Sequence, residues 1–205
     1  MSERAHQALL MRSRGRFDRV HSLIRENGPL SLTTRNVALF EYMAKTVAGQ
    51  QLSAAAAGTI WSRVQTTVSN RGRPLAELCC DSGTEALRSC GLSGNKVKAL
   101  AHLRQAFADG SITEAQIRAA DYDEVVETVS SIWGFGDWSA DMIAIFYCGL
   151  PDVWSEGDSS LQKGIALLCN GAQVNAGELA AEFSPFRSYL ALHVWKGIDT
   201  GLIID

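Results

Sequence analysis

Two short segments carry residue types suited to chemistry. In the first, Gly134-Phe135-Gly136 interrupts apolar sequence just ahead of a new helix, although each glycine inside a helix costs about 1 kcal/mol relative to alanine. A Gly-x-Gly link between two helices leaves the first amides of the second helix unpaired and uncovered by side chains. With the positive end of the helix dipole behind them, those amides form a site for a phosphate oxygen. Such a contact grips a nucleic acid without reading its bases. The same residues also describe a tight αα-turn whose glycines supply positive φ. In the second segment, Asp158 stands alone between Gly157 and Ser159-Ser160. A carboxylate there fits the N-cap of a following helix, and it also fits the support of a developing cation or the activation of water.

The elements around these segments read as helices. In VALFEYMAKTVAGQQ, Val37, Phe40, Ala44 and Val47 fall on one face, and in DYDEVVETVSSI so do Val125, Val126, Val129 and Ile132. Further helices are expected at Phe17 to Glu26, Ala54 to Val68, Thr84 to Ser89, Lys96 to Asp109 and Thr113 to Ala119. Others are expected at Ser139 to Tyr147, Ser160 to Leu168, Ala176 to Glu182 and Pro185 to Lys196. The result is an all-α chain of about ten helices. Breakers separate them at Asn27-Gly28-Pro29, Asn70 to Pro74, Gly91 to Gly94, Gly110, Gly149 to Pro151 and Asn170-Gly171. Asp121 with Glu124, and Asp109 or Ser111 with Glu114, have the spacing of an N-cap and its returning carboxylate. LRSCGLSGNKVKAL and VSSIWGFGDWSADMI share one order, an apolar helix end, a glycine turn and a new helix; helix-turn-helix units of this kind are also common by chance.

Composition narrows the class. The chain has 205 residues, 46% of them hydrophobic, enough for a substantial core, and no apolar run approaches a membrane span or a secretory signal. The expected place is the cytoplasm, with the nucleoid, or the nucleus where there is one. Five cysteines, with no C-x-x-C pair and no zinc or iron–sulfur spacing, read as reduced thiols. Net charge is −3, but residues 1–73 carry +7 and the remainder −10. A cationic side of this kind can meet a polyanion, or simply aid solubility.

The string Ile132-Trp133-Gly134-Phe135-Gly136-Asp137-Trp138-Ser139-Ala140, followed by an apolar helix and Gly157-Asp158, resembles the hairpin and aspartate loop of the helix-hairpin-helix DNA glycosylase superfamily. Within it, the chain is most similar to the 3-methyladenine DNA glycosylase II family in its compact form. TVAGQQLSAAAAGTIWSRV, LRSCGLSGNKVKAL and FRSYLALHVWKG extend the likeness from about Asn27 to Gly197. The start of the chain lies too close to the first of these motifs for the extra N-terminal β-domain of the larger enzymes.

The resemblance implies a two-lobed all-α fold with DNA in the cleft between lobes. One lobe covers about 30–125, and the other combines about 1–29 with 126–205, carrying the hairpin and Asp158. It implies a glycosylase acting on 3-methyladenine and 7-methylguanine in duplex DNA, leaving an abasic site. The rival readings are a catalytically weak DNA-binding relative, a glycosylase for deaminated purines, and a helical protein-interaction module with no DNA role. Asp158 would support the sugar cation and the water. Gly134, Phe135, Gly136, Ser139 and Ala140 would hold the DNA backbone, and Trp138, Met142 and Trp195 would form the base pocket. Met142 replaces an aromatic common in relatives, and a tryptophan at either of the other positions equally fits a core.

Gln50, Gln51, Leu52 and Ser53 would enter the minor groove, with Gln51 best matched to the residue that plugs the stack and Ser53 to a groove-contacting neighbour, unless this is only a capped helix start. Gly91, Ser93, Gly94 and Lys96 form the second turn. Trp138 stands where bifunctional members have a lysine, which implies a monofunctional, water-using enzyme. Lys163, five residues past Asp158, receives no catalytic role. Asp137 introduces a like charge beside a phosphate unless its side chain turns away. No cofactor or catalytic metal is implied; carbonyls of Ser130, Ile132 and Phe135 could hold a structural Na+ or K+. The expected partner is damaged duplex DNA, and the expected state a monomer without membrane association.

Overall fold

The computed structural model describes residues 1–170 and 174–203, so Gly171 of the expected Asn170-Gly171 break lies outside the described residues. Helices α1 (Ser2–Ser13), α2 (Asp18–Asn27), α3 (Leu39–Gly49), α4 (Ala54–Arg71) and α5 (Leu75–Leu78) open the chain. Next come α6 (Thr84–Ser89), α7 (Gly94–Ala108), α8 (Glu114–Ala119), α9 (Tyr122–Ser130) and α10 (Asp137–Ile143). A π-helical turn, Ala144–Cys148, precedes α11 (Ser159–Leu168), α12 (Ala176–Ala181) and α13 (Arg187–Asp199). Among the described residues there is no strand, and no helix is long and apolar enough to cross a membrane.

The chain folds as two compact units, one joining Met1–Thr34 with Ala144–Asp205 and the other comprising Arg35–Ile143. The hairpin between α9 and α10 packs with Arg35–Ile143, whereas the sequence reading grouped it with Asp158.

In the first unit, α2 shows how the sequence builds its core. Val20, Leu23, Ile24 and Asn27 are buried at helical spacing, and the first three join Leu9, Leu161, Ile165, Phe183, Leu190 and Val194. The segment leading to Asp158 is tied to the start of α13. Arg187 Nε donates to Asp152 Oδ1 at 2.9 Å and Ser184 Oγ to Oδ2 at 2.8 Å. Ser188 Oγ donates to the Leu150 carbonyl at 2.7 Å and accepts from the Val153 amide at 2.9 Å. Partial burial pushes the Asp152 carboxyl up, but the hydrogen bonds from Arg187 and Ser184 outweigh it and hold the group below the usual carboxylate range. On the other side of α13, His193 is buried, with its ring 6.0 Å from that of His6. Burial, aided by His6 and Lys196, pushes the His193 imidazole down to about 3.

In the second unit, α3 begins later than its apolar pattern suggested. Val37 is 44% exposed ahead of the helix, and the buried face consists of Leu39, Met43, Ala44, Val47 and Ala48. Phe40 is half-buried and meets Phe107 edge-to-face at 5.3 Å. Asp121 and Glu124 form the expected capping box, with reciprocal bonds of 3.0 and 2.9 Å. The cap of α8 is Thr113, whose Oγ1 accepts the Gln116 amide. Asp109 and Ser111, the expected caps, instead bond each other one turn earlier. Both acceptor side chains lie too far before Glu114 to reach its first free amides.

Candidate active site and nucleic-acid interface

The hairpin follows from two glycines with different physical roles. Gly134 has φ +90, and a Cβ there would lie 2.5 Å from the Ala99 Cβ; the left-handed backbone and the close approach of α7 both demand glycine. Gly136 has neither constraint, and a Cβ there would meet nothing within 4 Å. It stands immediately before α10 with no side chain to cap the helix, and its carbonyl accepts the amides of Ser139 and Ala140 at 2.9 and 3.1 Å. Ser139 and Ala140, expected to hold the DNA backbone, thus use their amides to close the first turn of α10. Among the described residues, the amides of Gly136 and Asp137 have no acceptor. These are the donors the hairpin presents. The side chain of Asp137 turns back towards the end of α9, where Ser130 Oγ approaches its Oδ1 at 3.5 Å. Phe135 is buried and anchors the turn, its amide donating to the Ile132 carbonyl at 3.0 Å.

Within the same unit, Met142 is buried and its carbonyl accepts Tyr42 Oη at 3.2 Å, while Trp138 is half-buried. Trp133, beside the hairpin, is 42% exposed, with Lys98 Nζ 4.2 Å from its ring centroid and the His102 ring at 5.5 Å. The loop from α3 to α4 carries Gln51, which is exposed and left-handed at φ +57, an uncommon state for a residue with a side chain. Leu52 is 40% exposed, and Ser53 caps α4 by accepting the Ala56 amide at 3.3 Å. The wedge segment is thus a capped helix start that also leaves Gln51 and Leu52 outside the core.

The second turn is built differently. Gly91 has φ +103, and Ser93 Oγ accepts the Lys96 amide at 3.3 Å, capping α7. The Lys96 ammonium, which the sequence grouped with the turn, donates to the carbonyls of Ala48 and Gln50 at 2.8 and 2.9 Å.

In the first unit, Asp158 is the N-cap of α11. Its Oδ1 accepts the Leu161 amide at 2.9 Å and Trp195 Nε1–H at 3.3 Å. Cap and indole donor converge on one carboxylate oxygen, which fixes the orientation of the group. Trp195 in turn packs on Phe146 of the π-helical turn, with ring centroids 5.5 Å apart. Phe146 was not singled out from the sequence, where it is one more apolar residue of an apolar run. Among the described residues, no group of three or more His, Cys, Asp or Glu side chains could hold a metal ion.

A solved structure, the Schizosaccharomyces pombe 3-methyladenine DNA glycosylase Mag1 in complex with abasic DNA, matches this chain with a TM-score of 0.82. It is 26% identical and covers 94% of this chain and 95% of that one. Helices throughout and a glycine-started hairpin ahead of a capping aspartate thus form the helix-hairpin-helix DNA glycosylase fold. No family model matches the chain. In sequence it is 30% identical over 163 residues to the DNA-3-methyladenine glycosylase 1 of S. pombe, covering 77% of this chain and 71% of that protein. It is 27% identical over 182 residues to the alkylbase DNA glycosidase-like protein mag2 of the same organism, covering 85% of each. The chain belongs to the DNA-3-methyladenine glycosylase family.

Proposed function

We propose that this DNA glycosylase hydrolyses the N-glycosidic bond of alkylated purines, 3-methyladenine and 7-methylguanine, in duplex DNA. Such bases carry positive charge and leave as neutral molecules, so the chemistry demanded of the protein is modest. The C1′–N bond breaks with its electron pair leaving on the base, the sugar passes through a cation, and a water oxygen bonds to C1′. Asp158 supports that cation and orients or deprotonates the water. The observation that carries the reading is the convergence of the Leu161 amide and Trp195 Nε1–H on Asp158 Oδ1, which aims a carboxylate beside an indole. Trp138, Met142 and Trp195 hold the extruded base, electron-rich rings attracting a cationic purine by about 0.5–2 kcal/mol each. The amides of Gly136 and Asp137 hold a DNA phosphate, and Gln51 fills the stack left by the flipped nucleotide.

With Trp138 where a Schiff-base lysine stands in bifunctional relatives, the enzyme uses water and leaves the abasic strand intact. It acts as a monomer and works where the chromosome is, in the nucleoid or the nucleus. The carbonyls of Ser130, Ile132 and Phe135, at the end of α9 where helical carbonyls lack intrahelical donors, are positioned by sequence to bind a monovalent cation. The Ile132 carbonyl already receives the Phe135 amide, so a cation would use its second lone pair.

The test is excision from duplexes carrying 7-methylguanine, read as strand breaks after alkali, with Asp158→Asn beside wild type. Asparagine is as good an N-cap as aspartate, so the helix start survives while the charge is lost. The variant should bind duplex DNA as wild type does and lose excision by about 10²-fold or more. Wild-type excision in the variant would move the catalytic role elsewhere, and breaks without alkali would show lyase chemistry. Breaks only in hypoxanthine-containing duplexes would change the substrate, and no breaks at any enzyme level would leave a binding protein.

A further inference from the structure

The loop that carries Gln51 is held from two sides by side chains distant in sequence. Lys96 Nζ, from the first turn of α7, donates to the carbonyls of Ala48 and Gln50 at 2.8 and 2.9 Å. These carbonyls stand at the end of α3, where helical acceptors otherwise lack partners and a cation is favoured by the helix dipole. On the other side, Gln50 Nε2 donates to the Gly134 carbonyl at 3.0 Å and to Ser139 Oγ at 2.9 Å. Ser139 is buried in α10, so this contact reaches the base of the hairpin itself. Directly after these ties the backbone at Gln51 adopts its left-handed conformation, which costs about 1–2 kcal/mol without outside support. The ties also line one wall of a cavity of about 280 Å³ bounded by Gln51, Asn95, Lys96, Trp133 and Gly134. Burial lowers the Lys96 pKa, because desolvation disfavours the charged ammonium.

We propose that Lys96 and Gln50 are positioning residues, a brace that fixes the Gln51 backbone to the hairpin so that phosphate capture and filling of the stack occur as one event. Neither residue touches the reacting atoms. Lys96 neutralises and orients the end of α3, and Gln50 carries that fixed geometry to Gly134 and Ser139. Duplex that offers a gap in its stack benefits from a loop already in place, because no ordering cost arises on binding. Intact duplex, which offers no gap, gains nothing from the brace. Its removal therefore reduces discrimination rather than general affinity. This inference rests on the proposed reading in which the hairpin and Gln51 engage damaged duplex.

The experiment measures fluorescence anisotropy of the full chain with two labelled duplexes, one intact and one with a central tetrahydrofuran abasic analogue. The quantity read is the ratio of the two dissociation constants. Lys96→Met and Gln50→Leu should each lower that ratio about tenfold, mainly by weakening the abasic complex, whereas Lys96→Arg, which can still donate to both carbonyls, should stay within about threefold of wild type. Gln51→Ala should lower it similarly, and Lys96→Met added to Gln51→Ala should bring no further loss, the non-additivity expected of residues acting through one another. Equal loss on both duplexes, or additive losses in the double variant, overturns the brace. If wild type itself prefers neither duplex, the engagement reading falls and the brace falls with it; a wild-type preference left intact in both variants sinks the brace alone. Should Lys96→Met fail to fold, judged by its melting curve, the ratio for Gln50→Leu decides.

Discussion

The two glycine turns of the Arg35–Ile143 unit share a plan and differ in what they leave open. Each ends one helix, uses a left-handed glycine (Gly91 at φ +103, Gly134 at φ +90) and starts another helix within a few residues. At the first turn, Ser93 caps α7, and a Cβ on Gly94 would meet Arg88 Nη1 at 2.8 Å. At the second, glycine occupies the capping position, a Cβ on Gly136 would meet nothing within 4 Å, and the amides of Gly136 and Asp137 have no acceptor among the described residues. One turn is finished by its own side chains, and the other leaves two amides without an acceptor among the described residues. A glycine pattern alone therefore does not distinguish a turn closed by a side-chain cap from one left open; the residue before the second helix does.

Substitution at Gly134 should break the hairpin most severely. Alanine there combines unfavourable φ with a clash on Ala99, and Gly134→Ala should lower stability by about 3 kcal/mol, visible as a fall in Tm by calorimetry. Acid tests whether instability can be confined away from both turns. The His193 imidazole has its pKa depressed to about 3 in the fold against about 6.5 when unfolded. Its contribution is full above pH 6.5 and is lost as pH falls towards 3. Between pH 7 and 5 the cost is about 2 kcal/mol, and His193→Phe should flatten that part of the stability profile in denaturant titrations. The comparison sharpens at Gly136. Gly136→Ala should weaken duplex binding about tenfold, or about 1.4 kcal/mol, while unfolding free energy moves by less than that. The mirror-image experiment is Ser93→Ala, which should cost about 1 kcal/mol of stability through the lost cap and leave duplex affinity within twofold. If Ser93→Ala instead weakened binding as much as Gly136→Ala does, the two turns would be alike in use as well as in plan.

Features written in neighbouring residues were legible in the sequence. The hairpin, the box of Asp121 with Glu124, and Asp158 ahead of Ser159 all depend on contacts within four residues, and all three appear as helix junctions or caps. The first helix escaped because its buried positions, Ala5, His6, Leu9 and Ser13, are few and half of them polar, giving little apolar period to read. Thr113 is inconspicuous in the sequence because Asp109 and Ser111 offer acceptors at a plausible spacing. The brace was invisible for a different reason. Lys96 reaches 46 to 48 residues back and Gln50 bonds 84 to 89 residues ahead; single polar pairs at such separations impose no periodicity. The contact of Trp195 with Asp158 is of the same kind. Sequence named both residues, but only the fold shows one donating to the other.

The split unit has a consequence for how the protein is made. Helices α1 and α2 leave the ribosome ahead of the Arg35–Ile143 stretch, yet the core they join is completed by α11 to α13. At about 5–20 residues per second the wait is on the order of ten to thirty seconds. The whole Arg35–Ile143 stretch is synthesised in that interval, while the apolar faces of the first two helices lack the partners that α11 to α13 supply. Those faces are what a holding chaperone would grasp on the nascent chain, and release must await α13.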